Sequence, residues 1–511
     1  MTELDPKPLL GFEAGFDWWN KHESVNAKVE RLYAAWNRTA AGLEPATQRW
    51  RAGLNVLRQI VIDAEAAGKR VRAYGGAWSL SDAALTPDYL VNTKPLNYLS
   101  QGFEPAHVTT SAQPLASRLV YAQCGVHVME LNSALEAAGW ALPTSGASNG
   151  QTIAGAVSTG THGSAIDVGS MQDYVRALHI VGEGGEHFVV QPSSRPTVTK
   201  AFCDFLGATL LEDDDMFHAA LVSFGSFGLI HGLILLPVPM FLLEKKIIHL
   251  DFDEARAGFD LAFEKLGLGP ERPHHFEMVL NPYQLDPKQG GAWIVAMYKR
   301  TPGQAIPDAD VRSSIEPGDD AMWAVGGLTN AVPALVPGLV TTLVGAPYAP
   351  TKKNVVATPG VMFGSTSIRG PIGSAEIGVP LAHAERAAEK IARLAENERF
   401  AGVVACRFVR SSNALLAFTR FAPTTCTIEL PGVASPTTEG FFKKVGPMLD
   451  AEGINFTFHW GQWADLSPGR VTQAFEGNET TWLEQRRKLL PTAKGRRMFS
   501  NAMLERCGLH E

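Results

Sequence analysis

Three glycine-rich segments, each placed where a buried strand is predicted to end, limit the possible folds of this chain more than any other feature. They are "YGGAWS" (74–79), "SGASNGQTIAGAVSTGTHGS" (145–164) and "FGSFGLIHG" (224–232). Glycine lets a backbone approach another group closely and point its N–H groups at it. One such segment is as compatible with an ordinary turn as with a ligand site. Three of them in one region favour a long ligand that lies along the backbone.

The glycine-rich segments lack the two best-known nucleotide-binding motifs. The sequence contains no G-x-x-x-x-G-K-[ST], the loop that holds a nucleoside triphosphate. It also lacks a strand-linked G-x-G-x-x-G with an acidic residue further on, which marks a Rossmann dinucleotide site. A nucleoside triphosphate loop and a Rossmann site are therefore both unexpected here.

Composition and charge exclude several classes of protein. The chain has 511 residues, 45% of them hydrophobic and 19% charged, which is typical of a globular protein with more than one domain. A formal net charge of −7, without Lys/Arg runs, argues against a nucleic-acid partner. The five cysteines are far apart and match neither a disulfide framework nor a zinc site. We therefore expect no metal and, because the N-terminus has no signal-peptide pattern, a cytoplasmic location.

Residues 321–351 contain no charged side chain. The segment is long enough to cross a bilayer, but Pro333, Pro337 and Pro347 would interrupt a single helix through it. We expect it to form a buried lid or pocket wall. Membrane attachment through this segment stays open as an alternative.

Hydrophobic periodicity predicts an α+β fold. Helices are expected at 25–36 and 51–69, a strand at "RVRAYGG", another at "LVYAQCGV", and a hairpin at "VRALHIVGEGGEHFVV". After about Ile247, strands alternate with helices at "FDEARAGFDLAFEKLG" and "AHAERAAEKIARLAENERFAG". The expected divisions are an N-terminal extension (1–45), a glycine-rich domain (46–244), a second domain that includes the uncharged segment (245–455) and a C-terminal segment (456–511).

The segments "VRAYGGAWSLSD", "GQTIAGAVSTGTHGS" and "DDMFHAALVSFGSFGLIHGLILLPVP" resemble the three flavin-binding segments of the vanillyl-alcohol oxidase superfamily. Within it the chain most resembles the aldonolactone and alditol oxidase branch. The similarity continues to "HWGQ" and "MFSNAMLERCGL" and covers about residues 50–511. It implies a PCMH-type FAD-binding domain of two subdomains, then an α+β substrate (cap) domain, with the C-terminal segment returning to the flavin.

The resemblance implies FAD as the cofactor, with the backbone of residues 158–164 near its pyrophosphate, where amide donors satisfy the phosphate oxygens. The cofactor-binding residues that it implies are Tyr74, Gly75, Gly76, Ala77, Trp78, Ser79, Ser145, Gly146, Ala147, Gln151, Thr152, Gly155, Ala156, Ser158, Thr159, Thr161, His162, Gly163, Ser164, Gly228, Leu229 and Ile230.

Two departures from the family concern the attachment of the flavin. Many relatives have a histidine in the first segment that bonds covalently to the flavin, and this chain has Trp78 at that position. Some relatives use a cysteine near the start of the second segment, where this chain has Ala147-Ser148-Asn149. Indole cannot make the bond, so the resemblance implies non-covalent FAD with a lower redox potential.

Three further departures concern the substrate. Sugar-oxidising relatives carry Glu-x-Arg in a central strand, and here the glutamate is replaced by Ala405. Their C-terminal lysine is replaced by Gln462, and a serine beside the flavin N5 by Ala147. A polyol needs many donors and acceptors, and a site without them rejects it. The substitutions predict a less polar alcohol as the substrate.

Four residues are the catalytic candidates. Arg407 would stabilise a developing alkoxide or enolate, or form a structural ion pair. His459 would take the hydroxyl proton, or pack as a core residue beside Trp460. Glu376 is a further candidate base, and Gln462 a candidate orienting donor.

Gly146 lies where relatives have a small residue that admits dioxygen to the flavin. The leading hypothesis is an oxidase that transfers a hydride from an apolar, alcohol-type small molecule to flavin N5, and then reduces dioxygen to hydrogen peroxide. The alternatives are a sugar-lactone or polyol oxidase or dehydrogenase, and a flavin-binding protein without catalysis. The sequence leaves the oligomeric state open.

Overall fold

Three larger β-sheets, two two-stranded sheets and the helices packed on them make up the described part of the chain. In the computed structural model, the described residues are 8–39, 42–43, 45, 48–306, 309–313, 335–345, 348–350, 353–364 and 372–511. They form the predicted α+β fold. The uncharged segment 321–351 lies mostly outside these residues, and only 335–345 and 348–350 of it are described.

The first sheet contains the strand that leads into the first glycine-rich segment. The strands of this region are β1 (Phe12–Trp19), β2 (Asn26–Ala34), the short β3 (Arg38–Thr39) and β4 (Gly42–Leu43), β5 (Val71–Tyr74) and β6 (Tyr89–Asn92). The order in the sheet is β1-β2-β6-β5, and β2 runs parallel to β6. The N-terminal hairpin therefore extends the sheet that ends in residues 74–79.

The helix predicted at 25–36 is wrong, because this stretch forms β2 and pairs antiparallel with β1. Val29 and Tyr33 are buried and lie four residues apart. That spacing puts two side chains on one face of a helix and equally on one face of a strand. The sequence pattern alone did not separate the two structures.

The second sheet forms the core of the first half of the molecule, which contains the glycine-rich segments. Its strands, with two flanking short strands, are β7 (Leu99–Gln101), β8 (Val120–Gln123), β9 (Trp140–Ala141), β10 (Val175–Val181), β11 (His187–Gln191), β12 (Thr209–Glu212), β13 (Leu229–Leu235) and β14 (Val238–Pro239). The order is β12-β11-β10-β13-β8-β7. The helices of this half are α1 (Arg49–Ala67), α2 (Val128–Ala137), α3 (Ile153–Thr159), α4 (Lys200–Leu206) and α5 (Asp214–Leu221). The predicted strands at 71–74 and 120–123 and the 175–191 hairpin are confirmed.

The third sheet has nine strands and forms the second half. Its strands are β15 (Leu242–Leu250), β16 (His275–Leu280), β17 (Ala292–Arg300), β18 (Asp310–Val311), β19 (Val355–Ala357), β20 (Ile372–Pro380), β21 (Val404–Arg410), β22 (Thr424–Val433) and β23 (Thr457–Phe458). The order is β18-β19-β15-β17-β16-β21-β22-β20-β23. The helices of this half are α6 (Phe252–Ala255), α7 (Val336–Val344), α8 (Pro359–Met362), α9 (Ala384–Asn397) and α10 (Pro436–Ala451).

The two faces of this sheet differ because side chains alternate along each strand. Met278, Cys406 and Ile428 point towards α9 and α10 and share one apolar core with them. Their chain neighbours Glu277, Arg407 and Glu429 therefore point to the opposite face. That open face looks towards the glycine-rich segments.

The helix predicted at 252–267 is only partly present. α6 ends at Ala255, and the rest consists of short 3₁₀ turns at Arg256–Gly258 and Phe263–Leu266. Leu261 has a positive φ of 55°, which no α-helical residue adopts. The predicted helix at 384–397 is confirmed as α9.

The C-terminal segment returns to the first half, as predicted. After β23 it forms α11 (Pro468–Phe475), α12 (Asn478–Leu489), α13 (Ala493–Met498) and α14 (Ala502–Cys507). The amide of Leu80 donates to the carbonyl of Gly461 at 2.7 Å, and Arg72 Nη1 donates to the carbonyl of Phe499 at 2.9 Å. These bonds fix the tail beside residues 74–79. Among the described residues, no helix is both long and apolar enough to cross a membrane.

Candidate active site

A cavity of about 480 Å³ lies between the glycine-rich segments and the open face of the nine-stranded sheet. Pockets for small molecules and cofactors commonly have this size and lie between domains. Two walls bound it. The loop wall consists of residues 74–79, 146–161 and 225–230, and the charged wall consists of side chains on β20, β21, β22 and the tail after β23.

Most of the predicted cofactor-binding residues line this cavity. They are Tyr74, Gly75, Gly76, Ala77, Trp78, Ser79, Gly146, Ala147, Gln151, Thr152, Gly155, Ala156, Ser158, Thr159, Thr161, His162, Gly228, Leu229 and Ile230. The structure thus brings all three segments to one surface, although they are far apart in the chain.

Three predicted cofactor residues, Ser145, Gly163 and Ser164, do not line the cavity. A Cβ at Gly163 would lie 2.5 Å from the Ser145 carbonyl oxygen, so glycine is needed here for backbone packing. The Ser164 carbonyl accepts a hydrogen bond from the amide of Phe276 and joins the two halves. These residues shape the loop from behind.

The amides around Gly160 are not free to bind a phosphate. Residues 153–159 form α3, and the amides of Gly160 and Thr161 donate to the carbonyls of Val157 and Ala156 at 3.2 and 2.9 Å. The expectation that the backbone from 158 onwards supplies donors therefore does not hold for residues 158–161. The glycine at 160 ends the helix instead, with a φ of 81°.

The first glycine-rich segment offers free donors. Within the described residues, the amides of Gly75, Gly76, Ala77 and Trp78 donate to no protein acceptor. Ala77 is held at a φ of 56°, a conformation that L-residues rarely adopt. Successive unpaired amides in such a turn form a concave donor surface that suits an anion. These residues fit the diphosphate of FAD.

The charged wall is built by strand register. Arg407 on β21 lies opposite Glu277 on β16, and its neighbour Ala405 lies opposite Glu429 on β22. Glu429 in turn lies opposite Glu376 on β20. All these side chains point to the open face, and they meet around the Arg407 guanidinium.

Arg407 is enclosed by carboxylates. Its Nη2 lies 2.8 Å from a Glu277 oxygen, and its Nη1 donates to Glu429 and lies 3.7 Å from Glu376 Oε1. The sequence predicted that Ala405 removes a polar group from the substrate site. Glu429, which lies opposite Ala405 on the adjacent strand, supplies a carboxylate there. The wall is therefore more polar than the substitution at 405 predicted.

His162 and Glu376 share a buried proton. His162 Nε2 lies 2.9 Å from Glu376 Oε1, and its Nδ1 lies 2.8 Å from the Gly163 carbonyl oxygen. A carbonyl only accepts, so Nδ1 carries a proton, and a further proton must lie between Nε2 and the carboxylate. Burial alone would raise the pKa of Glu376, but the charge and hydrogen bond of His162, together with His459 and Arg407, hold that pKa well below its usual value. The pair is therefore best described as imidazolium and carboxylate.

His459 is a neutral hydrogen-bond donor. Burial holds the pKa of its imidazole at about 4. The amide of Gly461 donates to its Nδ1 at 3.0 Å, so the neutral ring carries its proton on Nε2. In this tautomer the ring has no lone pair left for a substrate proton.

Gln462 connects two of the carboxylates. Its Nε2 donates to Glu376 Oε2 and to Glu429 Oε1, both at 3.2 Å. Because carboxylates only accept, these bonds fix the orientation of the amide. Its Oε1 is buried and has no partner among the described residues. Gln462 was predicted as an orienting donor for the substrate. Its donor is already bound to two carboxylates, and the atom that is available to a substrate is the acceptor Oε1.

Sequence reasoning missed several cavity residues. Glu429 and Ser374 line the charged wall, and Ser374 Oγ donates to Glu429 at 3.3 Å. His22, from the N-terminal hairpin, lines the loop wall. None of them belongs to a sequence motif. The available signal for Glu429 and Ser374 was the alternation of apolar and polar residues along β20 and β22.

The described part of the uncharged segment packs beside the charged wall. Val336 and Val340 of α7 share an apolar cluster with Val279 and Ala405 on the open face of the sheet, and Tyr348 packs against it. Burial raises the pKa of Tyr348, so its hydroxyl stays neutral. These residues pack on the open face of the sheet but do not line the cavity, and the greater part of 321–351 lies outside the described residues, so a lid or pocket wall stays a prediction.

Comparisons with known proteins agree with this architecture. Residues 55–191 match the family described as "FAD binding domain". The chain is similar to a putative D-arabinono-1,4-lactone oxidase of Neurospora crassa, with 31% identity over 217 residues, 42% of this chain and 34% of that protein. It is also similar to a D-arabinono-1,4-lactone oxidase of Yarrowia lipolytica, with 30% identity over 41% of this chain and 34% of that protein. The match thus spans about a third of each relative's length.

A third relative and two solved structures complete the comparison. An L-gulono-1,4-lactone dehydrogenase of Mycobacterium tuberculosis is 26% identical over 44% of each chain. A cholesterol oxidase from B. sterolicum superposes with a TM-score of 0.71 at 15% identity, covering 98% of this chain and 97% of that one. A solvent-stable cholesterol oxidase superposes with a TM-score of 0.68 at 14% identity. The structural matches confirm the fold across the whole chain.

Proposed function

We propose that this chain, in which residues 55–191 match the FAD binding domain family, is an FAD-dependent oxidoreductase that oxidises a CH–OH group and passes the electrons to dioxygen. The observation that carries the proposal is the single cavity in which the glycine-rich loop wall faces the cluster of Arg407, Glu376 and Glu429. FAD would supply the hydride acceptor. Everything else in the reaction is assigned to residues of this chain.

The loop wall holds FAD without a covalent bond. The unpaired amides of Gly75 to Trp78 would bind its diphosphate, and the small residues Gly146 and Ala147 leave space beside the flavin ring. Trp78 has no nucleophilic atom for the flavin. Gly146 also leaves room for dioxygen, which supports an oxidase.

Glu376 is the group proposed to accept the hydroxyl proton. Its lowered pKa keeps it ionised, and the imidazolium of His162 fixes its Oε1. The substrate O–H proton would go to the Glu376 carboxylate, FAD would supply the acceptor for the C–H hydrogen and its electron pair, and the product would be a carbonyl. The base is therefore placed by residues from two separate segments.

His459 and Gln462 orient the substrate hydroxyl. The Nε2–H of His459 would donate to the hydroxyl oxygen, while the unpartnered Oε1 of Gln462 would accept from a neighbouring substrate group. Arg407 holds the three carboxylates in place, because both of its terminal nitrogens are ion-paired with them. Its contribution to catalysis acts through Glu376 and Glu429.

The substrate proposed is an alcohol with a polar reacting end and an apolar body. The reacting end would meet the charged wall, beside which α7 and Tyr348 form an apolar cluster on the same face of the sheet. A sugar lactone is the second candidate, because three relatives are named as lactone oxidases or dehydrogenases and Glu429 makes the wall more polar than the sequence predicted. A cytoplasmic location is proposed as well, since all five cysteines are buried thiols.

The first experiment is a visible spectrum of the purified protein before and after acid precipitation. Yellow colour that stays in the supernatant supports non-covalent FAD, whereas colour in the pellet contradicts it. Anaerobic mixing with apolar alcohols and with aldonolactones then identifies the substrate by bleaching of the flavin. A flavin that neither class bleaches would support the silent binding protein and overturn the enzymatic proposal.

A further inference from the structure

The turn between β1 and β2, residues 20–25, touches the cavity although it lies outside the part of the chain that matches the FAD binding domain. It folds over residues 77–79 of the first glycine-rich segment. The Lys21 amide donates to the Ala77 carbonyl, and Asn20 Nδ2 donates to the Ser79 carbonyl, both at 2.9 Å. The turn therefore holds the backbone on both sides of Trp78.

The same turn also packs on the Trp78 ring. Lys21 Nζ lies 3.9 Å from the ring centroid, and the His22 ring meets the indole edge-on at 5.4 Å between centroids. On its other side Trp78 fills the space over Gly150, where a Cβ would lie 2.1 Å from the indole. Trp78 is thus fixed between two segments and cannot swing away from the cavity wall.

His22 is the residue of this turn that the fold does not explain. It is only 5% exposed, it lines the cavity, and its Nδ1 has no hydrogen-bond partner among the described residues. Burial and the nearby Lys21 lower the pKa of His22 to about 4, so the ring is neutral at pH 7. A buried polar atom without a partner costs free energy and calls for an explanation, such as a ligand.

We propose that the 20–25 turn is a fourth cofactor-binding segment, in which His22 Nδ1 makes a hydrogen bond with bound FAD. This inference rests on the proposed function, because it requires FAD in the cavity. The turn holds residues 77–79 in shape by hydrogen bonds and gives the flavin a polar contact beside Trp78. A non-covalent contact of this kind takes over part of the anchoring that a covalent bond would provide.

The test is a titration of apoprotein with FAD, followed by quenching of FAD fluorescence. His22→Phe keeps a ring against Trp78 but removes the nitrogen, so we expect Kd to rise about five- to tenfold. His22→Gln restores a polar atom and should recover most of the affinity. His249→Phe is the matched control, because His249 stacks on Trp293 on β17 and does not line the cavity. The Kd of this variant for FAD should equal that of the unsubstituted protein, here called the parent.

Two outcomes separate this inference from the function on which it rests. If the parent binds FAD and His22→Phe binds it with the same Kd, the inference is overturned and the proposed function stands. If the parent does not bind FAD at all, the proposed function itself fails. Recovery of affinity in His22→Gln excludes misfolding as the cause of the loss in His22→Phe. Asn20→Ala removes the bonds of Asn20 to Ser24, Val25 and the Ser79 carbonyl while it keeps His22, and it should also raise the Kd for FAD.

Discussion

The two walls of the cavity are made in opposite ways. The loop wall binds through backbone amides, small residues and one indole, which lie in three short glycine-rich segments. The charged wall depends on side chains from separate strands and from the tail after β23, and each charge in it has a partner of opposite sign. A change in the loop wall should therefore act through shape and stay local. A change in the charged wall should spread, because removing one charge leaves its partners buried and unbalanced.

The largest effect should follow from Arg407→Met in the charged wall. The substitution keeps the volume but leaves Glu277, Glu376 and Glu429 without their cation. We expect the free energy of unfolding to fall by about 3–5 kcal/mol and kcat/KM to fall by about 100-fold or more. Urea denaturation and steady-state kinetics measure the two losses.

The control for this variant is Glu277→Gln combined with Arg407→Met. It removes one of the stranded carboxylates, so part of the lost stability should return. Equal stability of the parent and Arg407→Met would contradict the interdependence of charges in this wall.

The next largest effect should come from Gly150→Ala in the loop wall. The added Cβ would lie 2.1 Å from the Trp78 ring and must push it towards the flavin space. We expect a cost of about 1–3 kcal/mol from overpacking, measured mainly as weaker FAD binding in a fluorescence titration. Gly440→Ala in α10 is the control, since an added Cβ there meets nothing within 4 Å. Unchanged FAD affinity in Gly150→Ala would mean that Trp78 does not shape the site.

The loop wall could be predicted from sequence because its chemistry is contiguous. Residues 74–79 and 146–162 form two short stretches of sequence. Glycine in such a stretch indicates a close approach of the backbone or an unusual φ. The internal bonding of Gly160 and Thr161 was not predictable, since the same letters allow a helix end or a phosphate loop. The resemblance identified the segments of this wall. Which of their amides donate to protein carbonyls follows only from the three-dimensional structure.

The charged wall was only half predictable. Arg407, Glu376, His459 and Gln462 were found by resemblance, but Glu429 and Glu277 were not. Their position depends on which strands are neighbours and on the register between β16, β21, β22 and β20. Register between strands far apart in the chain leaves no local signal. His22 was missed because it lies in the predicted N-terminal extension (1–45), to which the sequence assigned no part of the site.

A smaller effect should follow from Gln462→Met. The variant removes the donor shared by Glu376 and Glu429 and the unpartnered Oε1, while it keeps the length of the side chain. We expect kcat/KM to fall about tenfold, the value of one to two lost hydrogen bonds. The Kd for FAD should stay unchanged, because the change lies in the charged wall. A loss of FAD affinity as large as the loss of kcat/KM would show that the two walls are not separate in function.

The smallest expected effect is the pH dependence of kcat/KM between pH 7.5 and 5.5. Burial lowers the pKa of His459 to about 4, and the pKa of Glu376 is lowered as well, so both keep their active forms until the pH falls through their own low values. Kcat/KM should therefore stay constant over this range. An imidazole base with its ordinary pKa of about 6.5 would be about nine-tenths protonated at pH 5.5 and would cut kcat/KM about tenfold. A tenfold fall would indicate that His459, not Glu376, is the base. Its Nε2 can accept a proton only if Nδ1 carries the ring hydrogen, so the hydrogen bond from the Gly461 amide to Nδ1 would then have to break.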